Sequence, residues 1–238
     1  MGECLIAVAL GNPRFPLVIA ANRDEDYARP TLPAHFWSDF PDILGGRDAL
    51  HGGTWLAVTP SGRFAAVTNL RGSPREPQKR SRGELVSGFV TSDVAPLDYI
   101  NDVASRADQY AGFHLIAGDR VDVVRLSGSI SKLGPGVHAL SNAPVGERWP
   151  KVELAETEVA RMMALDDPQQ LVDAILRFLT TPRGSGRVES EVFVKGERYG
   201  TRSSTAIVMT SAGELHFAEK SDGEVLHRYR ASLRAAGG

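Results

Sequence analysis

Short apolar runs bounded by turn residues recur along the chain and predict β-strands that come in pairs. Residues 4–10 ("CLIAVAL") and 16–21 ("PLVIAA") form the first pair, with a turn-like "NPRF" between them. Residues 54–59 and 63–69 flank residues 60–62 ("PSG"), which is a hairpin signal. Later strands are predicted at "FHLIAG", "VDVVRL" and "VHALSN", and a closing antiparallel meander at "STAIVMT", "ELHFAE" and "VLHRYR".

Helical patterns are grouped in the middle of the chain. Residues 81–84 ("SRGE") have capping-box spacing ahead of "LVSGFV", and a further helix is predicted over about 96–107. Apolar residues recur at helical spacing after Pro150, and residues 166–180 predict another helix. Paired strands with grouped helices favour an α+β fold with antiparallel sheets over a β-α-β order. No repeat or low-complexity linker divides the chain, so one domain over residues 1–238 is expected.

Composition narrows the choice of partner and compartment. A formal net charge of −2 gives no general attraction to nucleic acid or to an anionic membrane. No apolar run approaches the roughly 18 residues that a membrane-spanning helix needs, and the cytoplasm is the expected location. One cysteine, Cys4, excludes an intrachain disulfide and any multi-cysteine metal site. The six histidines are scattered singly, which is typical of structural residues rather than of metal ligands.

The stretch "LVIAANRDEDYARP" joins an apolar run to four consecutive polar residues, 22–25. Either a solvated loop or a pocket at the end of a buried strand explains that change. Arg23 and Glu25 alternate away from Asp24 if the strand continues, which favours a surface ion pair for those two residues.

Cys4 has two interpretations. It can be a small buried apolar residue, as free cysteine often is. It can also be a nucleophile at a processed N-terminus, where the α-amino group, which titrates near pH 7.7–8, acts as the base. Position alone favours the first interpretation.

Four separated blocks resemble the NRDE family, also called the Transport and Golgi organisation 2 family. The blocks are "AANRDE", "GGTWLAVTPSGRFAAVTN", "LSNAP" with "WPKV", and "YGTRSST", and they cover nearly the whole chain. The resemblance implies the N-terminal nucleophile (Ntn) hydrolase fold, a four-layer αββα sandwich. It also implies, by analogy, a role in haem mobilisation or in acyl-CoA and lipid handling.

The cysteine Ntn amidases of the bile salt hydrolase and penicillin V acylase group supply the candidate catalytic residues. By similarity these residues are Cys4, Asp24, Asn69, Asn142 and Arg202. Cys4 would be the nucleophile, Asp24 would orient its amine or thiol, and Asn69 and Asn142 would stabilise the oxyanion. Arg202 would hold Asp24 or an anionic substrate group.

The chain departs from those amidases at two places. Three residues, Met1-Gly2-Glu3, precede Cys4, so an extra cleavage would be needed to free its amine. Ala21 stands where the amidases carry an arginine.

Two functions therefore stay open. One is hydrolysis of a small amide or an acyl thioester, which needs no cofactor. The other is a non-catalytic carrier of haem or acyl-CoA, with Arg47, Arg71 or Arg202 as possible partners of haem propionates. The oligomeric state is beyond the sequence.

Overall fold

The computed structural model describes residues 4–73, 78–184, 186–187, 189–221 and 225–234. Its strands are β1 Leu5–Leu10, β2 Leu17–Asp26, β3 Thr31–Phe36, β4 Leu44–Asp48, β5 Leu56–Val58, β6 Phe64–Asn69, β7 Phe113–Gly118, β8 Val123–Ser127, β9 Ser129–Lys132, β10 Gly136–Ser141, β11 Tyr199–Met209, β12 Glu214–Ser221 and β13 Val225–Ser232. Its α-helices are α1 Gly83–Val90, α2 Pro96–Ser105, α3 Pro150–Met162 and α4 Pro168–Thr180. The α+β class with antiparallel sheets is confirmed.

The chain divides into two compact units that interleave along the sequence. The first contains Met1–Arg29, Gly134–Ala143 and Glu147–Leu233, and the second contains Pro30–Leu133, Pro144–Gly146 and the C-terminal residues from Arg234. Each unit carries one sheet. The expectation of a single domain stays a prediction.

The first unit is a six-stranded antiparallel sheet with the order β10-β1-β2-β11-β12-β13. Helices α3 and α4 pack on one face of it. Because successive side chains of a strand point to opposite faces of the sheet, every second side chain lies on that face. The residues buried there include Leu5, Ala7, Ala9, Val18, Ala20, Ala206, Val208 and Ala218.

The start of helix α4 is set by a capping residue and a proline. Asp167 is the N-cap, and its carboxylate accepts a hydrogen bond from the Gln170 N–H at 2.7 Å. Pro168 occupies the first turn, where its missing N–H is not needed. The buried stripe is Leu171, Val172, Ile175, Leu176, Phe178 and Leu179. Burying each large apolar side chain contributes about 1.5–3 kcal/mol, so this face anchors the helix to the sheet.

The second unit is a seven-stranded antiparallel sheet in sequence order from β3 to β9, packed against α1 and α2. The predicted hairpin is β5–β6, and Gly62 in its turn has φ +90°, a conformation that favours glycine. Helix α1 forms as predicted, but the predicted capping box does not cap it. Glu84 instead pairs with Arg80 at 2.7 Å.

Strand β2 is longer than its apolar run predicts. It continues through residues 22–25 to Asp26, because its backbone pairs with β11 as far as Tyr199 opposite Asp26. The polar stretch is therefore part of a strand, not its end. The strands β3, β4 and β9 were not predicted from the sequence. Few residues of β3 and β9 are buried, and β4 is largely buried but contains two glycines, Gly45 and Gly46, in place of an apolar alternation.

Candidate active site around Cys4

Cys4 immediately precedes β1, and its thiol is partly buried. The thiol donates to the main-chain carbonyl oxygen of Asp24, with Sγ 3.8 Å from that oxygen. Burial is the main cause that raises the pKa of the Cys4 thiol from 9.0 to about 11. The negative charge of Asp24 acts in the same direction, and the positive charge of Arg23 opposes it. At neutral pH the thiol is therefore protonated and needs a base to become a nucleophile.

The strand register places a charged side chain beside Cys4. Leu5 lies opposite Asn22 on β2, so continuing that antiparallel register by one residue sets Cys4 opposite Arg23. Directly opposite residues share a face of the sheet, so the side chains of Cys4 and Arg23 lie on the face away from α3 and α4. Asn142 follows the last residue of β10 and is fully buried, with 0% of its surface exposed. Its convergence on Cys4 stays a prediction.

Asp24 is buried, with 2% of its surface exposed, and its carboxylate is held by β11. The Thr201 hydroxyl donates to Asp24 Oδ1 at 2.6 Å, and the Val194 N–H donates to that hydroxyl at 2.9 Å. Alternation puts Asp24 on the same face as Asn22, the face that α4 covers. The carboxylate acts on the Cys4 thiol through its charge, and the atom that accepts the thiol hydrogen bond is the Asp24 carbonyl oxygen.

Arg202 holds the turn that follows β2. Its Nη1 donates to the carbonyl oxygens of Asp26 at 3.2 Å, Tyr27 at 2.9 Å and Arg29 at 3.1 Å. The register of β11 against β2 shifts at this point, between Thr201 and Ser203. A role for Arg202 toward Asp24 or a substrate stays a prediction.

The sequence predicted a surface position for Arg23, and that prediction is wrong. Its ion pair with Glu25 exists, at 3.3 Å between Nη2 and Oε2, but Arg23 is only 6% exposed and so does not lie at the surface. Burial lowers the pKa of its guanidinium, and the charge of Glu25 opposes that effect. The signal that could have found it is the alternation itself, which puts Arg23 on the face of Cys4 once β2 is known to continue.

Asn69 belongs to the second compact unit. It is the last residue of β6 and lies opposite Phe113 on β7. Its convergence on Cys4 stays a prediction.

The arginines proposed as haem partners differ in their surroundings. Arg47 makes two hydrogen bonds of 2.7 Å to the Asp39 carboxylate and stacks 4.3 Å from the centre of the Trp37 ring. Arg71 is exposed. Within the described ranges, no group of three or more His, Cys, Asp or Glu side chains is placed to hold a metal ion. Haem binding stays a prediction.

Comparison with known proteins decides the family. The family described as Transport and Golgi organisation 2 matches residues 3–222. The chain belongs to this family. The mouse "Transport and Golgi organization 2 homolog" is 35% identical, in an alignment 239 positions long that covers 87% of each chain. The human "Transport and Golgi organization protein 2 homolog" is 34% identical, in an alignment 240 positions long that also covers 87% of each.

A solved structure supports the fold of this chain. A mutant of the conjugated bile acid hydrolase from Clostridium perfringens superposes with a TM-score of 0.50 over 99% of this chain and 94% of that one. The two are 7% identical, so the likeness concerns the fold alone. The fold is of the Ntn-hydrolase type, as the sequence predicted.

No helix in the described part of the chain is long and apolar enough to cross a membrane.

Proposed function

We propose that Cys4 is a nucleophile that cleaves a small amide or an acyl thioester. The observation that carries this proposal is the position of Cys4 at the start of β1, opposite Arg23 in the continued register. The positive charge of the Arg23 guanidinium favours the thiolate. The buried amide of Asn142, which follows the last residue of β10, is the predicted donor to the oxyanion.

The reaction would proceed in two stages. The thiol proton passes to the α-amine of Cys4, and the sulfur attacks the carbonyl carbon of the substrate. Collapse of the tetrahedral intermediate breaks the bond to the leaving amine or thiol, which takes up the proton. Water then cleaves the S-acyl cysteine and releases a carboxylic acid and the free thiol. The amine becomes available only if residues 1–3 are removed, and those residues lie outside the described ranges.

Stabilisation of the oxyanion would come from Asn142, with Asn69 as the second predicted donor. An oxyanion donor is worth about 10²–10³-fold in rate. Asp24 would favour the protonated amine through its charge, while Thr201 keeps that carboxylate in place.

Trapping of the acyl-enzyme tests the proposal. The purified chain is incubated with S-acetyl-N-acetylcysteamine, a small thioester, and its intact mass is measured after an acid quench. We expect a species that lacks residues 1–3 and carries one acetyl group, and no such adduct on Cys4→Ala. An unprocessed chain without adduct, or an adduct that persists in Cys4→Ala, would contradict the proposal.

A carrier is the second candidate, and one observation favours it. Burial raises the pKa of the Cys4 thiol to about 11, so little thiolate is present at neutral pH, which suits a protein that binds its ligand without catalysis. Haem or an acyl-CoA would then be the carried ligand. Saturable, reversible binding of either one, with no covalent adduct at Cys4, would support this alternative.

A further inference from the structure

Ser203 lies on the same face of the sheet as Cys4. It directly follows the register shift in β11 and lies opposite Arg23 on β2. Alternation along β11 agrees with this face, because Ala206 and Val208, at the opposite parity, pack toward α3 and α4. The next residue, Ser204, lies opposite Asn22 and so belongs to the face that α4 covers.

The Ser203 hydroxyl is shielded from solvent, and only 4% of the residue is exposed. Among the described residues its oxygen has no hydrogen-bond partner. A buried hydroxyl without a partner is destabilising, so a folded protein rarely keeps one without a reason. A ligand that completes the hydrogen bond is such a reason.

The position of Ser203 indicates which kind of ligand group fits. Cys4, Arg23 and Ser203 follow one another across β1, β2 and β11, and neighbouring strands are about 4.8 Å apart. A guanidinium donates in several directions and accepts nothing, and a hydroxyl can donate as well. Two donors of this kind suit an oxyanion such as a carboxylate or a phosphate.

We propose that Ser203 and Arg23 bind an anionic group of the substrate about one to two strand spacings from the sulfur of Cys4, or roughly 5–10 Å. This inference rests on the proposed function for the identity of the substrate as an acyl compound. The substrate class is then a short acyl amide or thioester that carries a carboxylate or a phosphate near the bond to be cleaved. Ser203 is a specificity residue in this scheme, not a nucleophile.

Three acetamides that differ only in their end group test the proposal. N-acetylglycine carries a carboxylate, N-acetyl-O-phosphoethanolamine a phosphate, and N-acetylethanolamine a neutral hydroxyl. Binding is measured by calorimetry on Cys4→Ala, which cannot turn the probes over. We expect one of the anionic probes to bind at least about tenfold more tightly than the neutral probe, because hydrogen bonds to charged groups are the stronger ones. The tighter anionic probe identifies the end group.

Ser203→Ala and Ser204→Ala form a matched pair in the same background, because both serines are buried neighbours on one strand but face opposite sides. Ser203→Ala should weaken the anionic probe by about tenfold and leave the neutral probe unchanged, while Ser204→Ala should change neither. Ser203→Ala should also keep or raise the thermal midpoint, because it removes a hydroxyl that has no partner in the free protein.

Three results would overturn the anion site. They are equal binding of charged and neutral probes, equal weakening by both serine variants, and no binding of either anionic probe at millimolar concentration. The proposed hydrolysis can fail independently of the anion site. If Cys4→Ala binds the anionic probe but the wild type does not cleave any probe, the hydrolysis is wrong and the anion site stands. If the wild type cleaves the anionic probe and Ser203→Ala does not change that rate, the hydrolysis stands and the anion site is wrong.

Discussion

Three consecutive residues of β2 have different roles because successive side chains of a strand point to opposite faces. Asn22 points toward α4, where its Nδ2 donates to the carbonyl oxygens of Leu179 at 2.8 Å and Val192 at 2.7 Å. Arg23 points to the face of Cys4. Asp24 returns to the first face and accepts from Thr201. The polar run thus combines a structural anchor with a charged group of the candidate site.

Removal of the Asn22 anchor should destabilise the first unit. Asn22→Ala leaves two buried carbonyl groups without their donor, and we expect the free energy of unfolding to fall by about 2–3 kcal/mol in urea titrations. Asn101→Ala, at an exposed position of α2, is the control and should stay within about 0.5 kcal/mol of the wild type. A loss at Asn22 no larger than that of the control would show that this anchor does not stabilise the fold.

At the scale of elements, the end of β2 is set by its neighbours and not by its own apolar pattern. The ladder to β11 runs from Met209 opposite Leu17 to Tyr199 opposite Asp26. Beyond it, the Tyr27 N–H donates to the Arg198 carbonyl oxygen at 2.9 Å, and the Arg29 N–H donates to that of Asp26 at 3.0 Å. Arg202 binds three carbonyl groups of the same turn and so fixes the exit of the strand.

Arg202→Ala should open this turn without unfolding the sheet. We expect amide hydrogen exchange at Tyr27 and Arg29 to accelerate by at least about tenfold, while the amide of Ala7 in β1 keeps its rate. Arg198→Ala is the matched control, because the exposed Arg198 side chain pairs with the Asp26 carboxylate at 3.0 Å, while the backbone carbonyl that accepts from Tyr27 is kept in the variant. Equal effects of the two variants would argue against the clamp, as would uniform acceleration across β1.

At the scale of the whole molecule, Cys4 links folding stability to pH. The folded pKa of about 11 lies above the ordinary 9.0, so folding favours the protonated thiol. Between these values the unfolded chain releases the proton more readily, and stability therefore falls as the pH rises from 9 to 11. We expect the wild type to lose about 2 kcal/mol more than Cys4→Ala over this window in chemical denaturation. Parallel pH profiles for the two proteins would contradict the shift.

Much of the fold could be predicted because its signals are local. Residues close together in the sequence are enough to predict the apolar stripe of α4, its Asp167 cap and the glycine of the β5–β6 turn. The strands β3 and β9 were missed because few of their side chains are buried, which leaves little alternation to find. The candidate residues Cys4, Asp24 and Asn142 came from their resemblance to a family, since no local pattern indicates which strands will be neighbours.

The sequence by itself determined the class of the fold, the order of most elements and the family. Only the tertiary structure decided which strands are neighbours. Cys4, Arg23 and Ser203 come from three separate segments, and only the pairing of β1, β2 and β11 aligns them. The spacing of apolar residues and the capping of helices depend on residues a few positions apart, whereas strand register depends on hydrogen bonds between distant segments.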